Sequence, residues 1–94
     1  MSCIVINDAG GLVTNHIVQG IQYTWSGVNL IVQYCASACL DMLNMVPKDH
    51  ICFRPDAWIG YHSINQKLDG TEDTTTMIWE RGKDWIAKGY NSCG

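Results

Sequence analysis

The 94 residues carry 6 Lys and Arg against 9 Asp and Glu, a net charge of −3 at neutral pH, and 47% of them are hydrophobic. That is the composition of a folded chain, sized for one small domain over residues 1–94. The acidic balance argues against a nucleic-acid or anionic-membrane partner, and no apolar run approaches the roughly 18 residues of a membrane span.

In chain order, Cys3 to Asn7 (Cys-Ile-Val-Ile-Asn) reads as a buried parallel strand. Asp8-Ala9-Gly10-Gly11 breaks it, and paired glycines open backbone conformations closed to other residues. Leu12 to Trp25 is expected to be an amphipathic helix with Val13, Ile17, Ile21 and Trp25 along its apolar stripe, His16 toward solvent, and Ser26-Gly27 at its end. Gly20 weakens that helix modestly. Val28 to Tyr34 follows as a second strand. Ala38 to Val46 is a second helix, stopped by Pro47, with Met42 and Met45 as core filler and Asp41 facing solvent.

Two short strands, His50 to Phe53 and Ala57 to His62, are expected around an Arg54-Pro55-Asp56 turn, with His50 at an edge. The polar segment Ser63 to Thr76, which includes Lys67, Asp69, Glu72 and Asp73, reads as a surface loop. Met77 to Tyr90 reads as a final helix with Ile78, Trp85 and Ile86 on one face, and Asn91 to Gly94 as a frayed end. Strand–helix–strand–helix order makes this an α/β chain with a parallel sheet and flanking helices.

Cys3, Cys35, Cys39, Cys52 and Cys93 are an odd set at irregular spacing, so at least one is free. They are expected to be reduced, buried apolar side chains. A zinc set of Cys35, Cys39 and His62 is disfavoured, and neither metal nor cofactor is expected. The N-terminus has no basic segment followed by an apolar core, so a cytoplasmic location is expected.

The chemistry converges on Tyr34-Cys35-Ala36-Ser37-Ala38-Cys39, where a strand delivers Ser37 to a corner and a helix departs. Small neighbours expose the hydroxyl. The helix start aims unsatisfied N–H groups and a partial positive charge at a developing anion. Serine needs a base, and His62, 25 residues downstream at the end of Ala57-Trp58-Ile59-Gly60-Tyr61, is the candidate.

These residues resemble the ClpP/crotonase superfamily and, within it, the ClpP-like serine peptidases. The family's I-N-S-P-G-G-x-V stands here as Ile6-Asn7-Asp8-Ala9-Gly10-Gly11-Leu12-Val13, and its A-S-M-G corner as Ala36-Ser37-Ala38-Cys39. Its R-x-x-x-P-N-S-x-x-x-x-H-Q run stands as residues 50–63, ending in Gly60-Tyr61-His62-Ser63. The C-x-S-A-C and G-Y-H-S forms are similar to a branch of predicted exported proteins.

The resemblance implies a serine endopeptidase with Ser37 as nucleophile and His62 as base. Gly10 or Gly11 would supply one oxyanion N–H and Ala38 the other. It further implies a peptide or unfolded-protein substrate, homo-oligomerisation and a larger peptidase or unfoldase partner. Relative to the family the chain is expected to be truncated at both ends. The acid that orients the family's histidine lies beyond the final helix, and Asp69, Glu72, Asp73 and Asp84 do not occupy its position. Two other readings follow: a catalytically degenerate binding subunit or regulator, and a crotonase-type acyl-thioester enzyme.

Overall fold

The structure, a computed structural model, describes residues 2–66, 70 and 72–94. Strands β1 (Cys3–Asp8), β2 (Asn29–Ala36) and β3 (Ile51–Gln66) pair in parallel, and β4 (Glu72–Arg81) returns antiparallel along β3. A short β5 (Asn91–Ser92) pairs with Cys52 and Phe53, on the side of β3 that β4 flanks farther along. Helices α1 (Val13–Ser26), α2 (Ala38–Asn44) and α3 (Gly82–Ala87) complete the α/β architecture expected from the sequence.

The core is one sheet face and the helices on it. Ile6, Leu30, Val32, Cys35, Ile51, Phe53, Ala57 and Ile59 from the strands meet Cys39, Met42, Leu43 and Val46 from the α2 region. Trp85 stacks on Phe53 at 5.4 Å between ring centroids, and Tyr90 meets the same ring edge-on at 5.3 Å. Strict alternation from Leu30 and Val32 would bury Tyr34 next. Instead the β2–β3 register shifts between Val32 and Tyr34, so Cys35 is buried and Tyr34 pairs with Trp58.

That irregularity corrects the expected pair of short strands. Phe53 pairs with Val32 and Trp58 with Tyr34, so Arg54 to Ala57 bulge opposite Gln33 within one continuous strand. A proline lacks the donor that a ladder needs, and Pro55 is tolerated because it falls in this bulge. Arg54 Nη1 donates to Gln33 Oε1 at 2.9 Å, across the bulge.

The final helix is also shorter than expected. Residues 77–81 belong to β4, and the helix runs only from Gly82 to Ala87. Thr74 to Trp79 is a β-branched and aromatic run, and pairing along β3 favours the strand. At the junction Asp84 Oδ2 accepts the Arg81 N–H at 3.0 Å. The expected loop is largely strand as well, because β3 reaches Gln66 and β4 begins at Glu72. Lys67 and Asp69 lie outside the described residues.

In α1 the expected apolar stripe is only partly covered, with Ile17 and Ile21 half-buried. Trp25 is 84% exposed and Val13 and Val18 are about half exposed, while Gly20 is buried and Tyr23 packs on the core. Gly20 is what lets α1 approach α2: a Cβ there would meet Met42 O at 2.5 Å and Met45 Cβ at 2.7 Å. Thr24 Oγ1 bridges the two helices, donating toward Met45 O at 2.7 Å. Met42 is core, but Met45 is 40% exposed. β1 is parallel as expected, yet only Ile6 within it is fully buried.

The cysteines depart furthest from expectation. Cys35 bonds Cys39, Cys52 bonds Cys93, and Cys3 is the free one. The second bridge, with β5 and the Cys93 N–H donating to Phe53 O at 3.0 Å, ties down the end expected to fray.

Candidate functional site

Ser37 sits where β2 ends and α2 begins, with φ 57° and ψ −121°. It is the one non-glycine among the described residues with positive φ. For an L-residue that conformation is sterically disfavoured and costs about 1–3 kcal/mol, so the surroundings must impose it. Two contacts do so directly. The Ser37 N–H donates to Gly60 O at 2.8 Å, anchoring the corner to β3. From the other side Gly10, at φ 98°, presses against the corner: a Cβ on it would lie 2.8 Å from both Ala36 O and Ser37 Cβ, and 3.3 Å from Ala38 N. Only glycine fits on both counts of space and conformation.

The glycine turn and the serine corner, 27 residues apart in sequence, are therefore in contact. Ala38 heads α2, and the first turn of a helix leaves its N–H groups without in-helix acceptors. Ala38 N–H is thus placed beside Ser37 and Gly10. The Gly10 N–H, by contrast, is engaged, donating to Asp8 Oδ1 at 2.8 Å. Gly11, at φ 153°, follows it in the turn.

His62 lies on β3 two residues beyond Gly60, paired with Met77 of β4, and is exposed. Residues two apart on a strand share a face, so His62 stands on the face where Trp79 and Met77 fold over Gly60. A Cβ on Gly60 would meet Trp79 at 2.7 Å and Met77 at 2.9 Å. Among the described residues no hydrogen bond joins the Ser37 hydroxyl to the His62 ring, and none joins His62 to a carboxylate. The fold brings their two chain segments together, through the Ser37 N–H bond to Gly60, while the side chains are not hydrogen-bonded.

Beside Gly60 the same face carries an aromatic shelf. Trp79 lies 5.5 Å from Tyr34 and 6.3 Å from Trp58 between ring centroids, and the Arg81 guanidinium covers Trp58 at 3.9 Å. Arg81 is held there by its hydrogen bond to Asp56 O at 2.8 Å.

A second polar cluster sits at the glycine turn and includes His16, expected toward solvent. His16 Nε2 is 2.9 Å from Asp8 Oδ2, and His16 Nδ1 is 2.8 Å from Leu12 O. Both partners are acceptors, so only the doubly protonated imidazolium satisfies both contacts. The His16 pKa is accordingly raised: the Leu12 carbonyl contributes most, the Asp8 carboxylate adds to it, and Asp41 acts at longer range against the opposing effect of burial. In that doubly protonated form the ring has no lone pair for general-base work. Its place is structural, closing residues 8–16 into a clasp around Gly10 and Gly11. The legible signal was an acid and a histidine flanking a Gly-Gly turn, with the histidine in the helix's first turn. Asp41, expected in solvent, is half-buried.

The described residues contain no group of three or more His, Cys, Asp or Glu side chains able to hold a metal ion. Cys35 and Cys39, two members of the disfavoured zinc set, are consumed by their disulfide. Comparison of the chain with protein-family models, with curated proteins and with solved structures finds no match.

Proposed function

We propose that the chain is a ClpP-like serine peptidase that forms an acyl-enzyme at Ser37. The observation that carries this reading is Ser37 itself: the one described non-glycine at positive φ, at a strand-to-helix corner, wedged against a glycine turn. Such strained corners expose a nucleophilic hydroxyl, and strain of this kind concentrates at functional sites.

In the proposed reaction the His62 imidazole takes the Ser37 proton as Oγ bonds to the peptide carbonyl carbon. It then returns that proton to the amine as the C–N bond breaks, and water releases the acyl group. The oxyanion is held by Ala38 N–H with Gly11 or Gly10. Since the Gly10 N–H is occupied by Asp8, Gly11 is the favoured partner unless substrate displaces that carboxylate. The substrate class is a peptide or unfolded protein, with an unfoldase or larger peptidase as a candidate partner. Two disulfides favour an oxidising compartment over the cytoplasm expected from the N-terminus.

One observation favours a second reading, a binding-only relative: His62 has no carboxylate partner among the described residues. In triads generally, loss of the orienting acid function costs about 10⁴ in rate. One experiment separates the two. Incubation with a fluorophosphonate and mapping by mass spectrometry should place the adduct on Ser37, and His62→Ala should abolish it while His50→Ala leaves it intact. An unmodified Ser37 in folded protein selects the binding-only reading.

A further inference from the structure

We infer that the Cys35–Cys39 disulfide is a staple that holds Ser37 in its reactive backbone conformation, so that Cys35 and Cys39 are positioning residues and acylation depends on their oxidation. The inference rests on the reading of Ser37 as nucleophile.

The bridge spans the corner. Cys35 is the second-last residue of β2, Cys39 the second of α2, and the bond closes a loop whose middle residue is Ser37. Their Cα atoms are 5.3 Å apart, which is within the range a disulfide requires. The fold turns both cysteines inward for this. The register shift at Gln33 moves Cys35 from the face that strict alternation would give it onto the core face, where Cys39 lies; both are 0% exposed.

A crosslink across four residues restricts the unfolded chain far less than one across 41, because loop entropy grows with loop length. The Cys52–Cys93 bridge, which anchors β5, suits global stabilisation. The Cys35–Cys39 bridge does little of that, and its effect is local: it fixes the strand-to-helix direction change at the residue with the disfavoured φ. Burial of both sulfurs argues against a thiol–disulfide exchange catalyst, since an attacking thiolate needs access to one of them.

Three preparations test this: wild-type protein, Cys35→Ala/Cys39→Ala, and Cys52→Ala/Cys93→Ala as the control bridge. Two readouts are taken on each, the rate of Ser37 phosphonylation and amide hydrogen exchange, with circular dichroism to verify folding. Loss of the corner staple should accelerate exchange of the Ser37 and Leu40 amides, which donate to Gly60 O and Ser37 O, by about tenfold or more while β1 and β3 stay protected. It should also slow labelling by about a hundredfold, the order of loss that an ångström of misplacement brings. The control should lower the urea midpoint and leave labelling unchanged. If the corner double variant does not fold, the single variants Cys35→Ala and Cys39→Ala, each of which removes the bridge alone, take its place. Corner amides that exchange at wild-type rates without the bridge overturn the staple. Unlabelled wild-type Ser37 overturns only the nucleophile reading, because the exchange comparison still decides whether the bridge holds the corner.

Discussion

At the scale of single residues, the glycine turn is tied together by His16. When protonated, its ring donates from both nitrogens, to Leu12 O and to the Asp8 carboxylate, and Asp8 in turn takes the Gly10 N–H. The folded state therefore binds the His16 proton more tightly than the unfolded chain, whose histidine titrates near 6.5. The linkage has a definite sign. Stability from this group is fully present below pH 6.5 and is lost as pH rises through the raised folded value. Urea unfolding at pH 6 and pH 8.5 should show a fall in stability for wild type that is smaller in His16→Ala. Equal falls in the two proteins would remove His16 from the account. The groups acting on the ring are Asp8, Asp41 and the Leu12 carbonyl.

At the scale of elements, close approach at small residues decides how the helices meet the sheet. Gly20 is buried at the α1–α2 crossing, where a side chain would strike the Met42 carbonyl and Met45 Cβ. Intrinsic propensity alone makes Gly20→Ala stabilising by about 1 kcal/mol. The obstruction is backbone, which cannot swing aside, and overpacking of this kind costs about 1–3 kcal/mol. The net outcome expected is destabilisation, read as a lower urea midpoint with an unchanged slope. Gly82 is the same device at α3, lying against the Arg54 carbonyl in the β3 bulge. A periodicity count treats such glycines as defects of their helices; in the fold they are the contact points.

At the scale of the molecule, the core and the helices on it lie on one face of the sheet, and the other carries exposed aromatics among the described residues. Trp58 and Trp79 on that face are each more than 40% exposed, with Tyr34 5.5 Å from Trp79 and the Arg81 guanidinium over Trp58. Trp85, Ile86 and Tyr90 pack on the core of their own chain, so the surface left for self-association is this aromatic face. Contiguous exposed aromatics of this kind mark interaction surfaces. A dimer or trimer is expected at micromolar concentration, and Trp79→Lys should return it to the 10.5 kDa monomer. Sedimentation velocity checks both. Wild type that remains a monomer across a hundredfold concentration range would refute the expectation.

The sequence alone determined what depends on neighbours along the chain. Hydrophobic runs bounded by Gly10-Gly11, Gly27 and Pro47 set β1, α1, β2 and α2 to within a residue or two, and so fixed Ser37 at a strand-to-helix corner. That order also implied the parallel α/β sheet. What only the tertiary structure decided are the quantities set by partners distant in the chain. Residues 77–81 became strand because β3 was available to pair with them, which outweighed a helical periodicity. Arg54-Pro55-Asp56 became a bulge because the strands on either side of it pair with one neighbour, β2. Cys35 and Cys39 pair because a register shift with β3 turned Cys35 inward, and Cys52 meets Cys93 across 41 residues of chain. The contact between Gly10 and Ser37 and the His16–Asp8 bond are of the same kind. Local sequence fixes backbone preference and phase. Which polar groups meet, and with what proton between them, follows from how β1, β2 and β3 are stacked side by side.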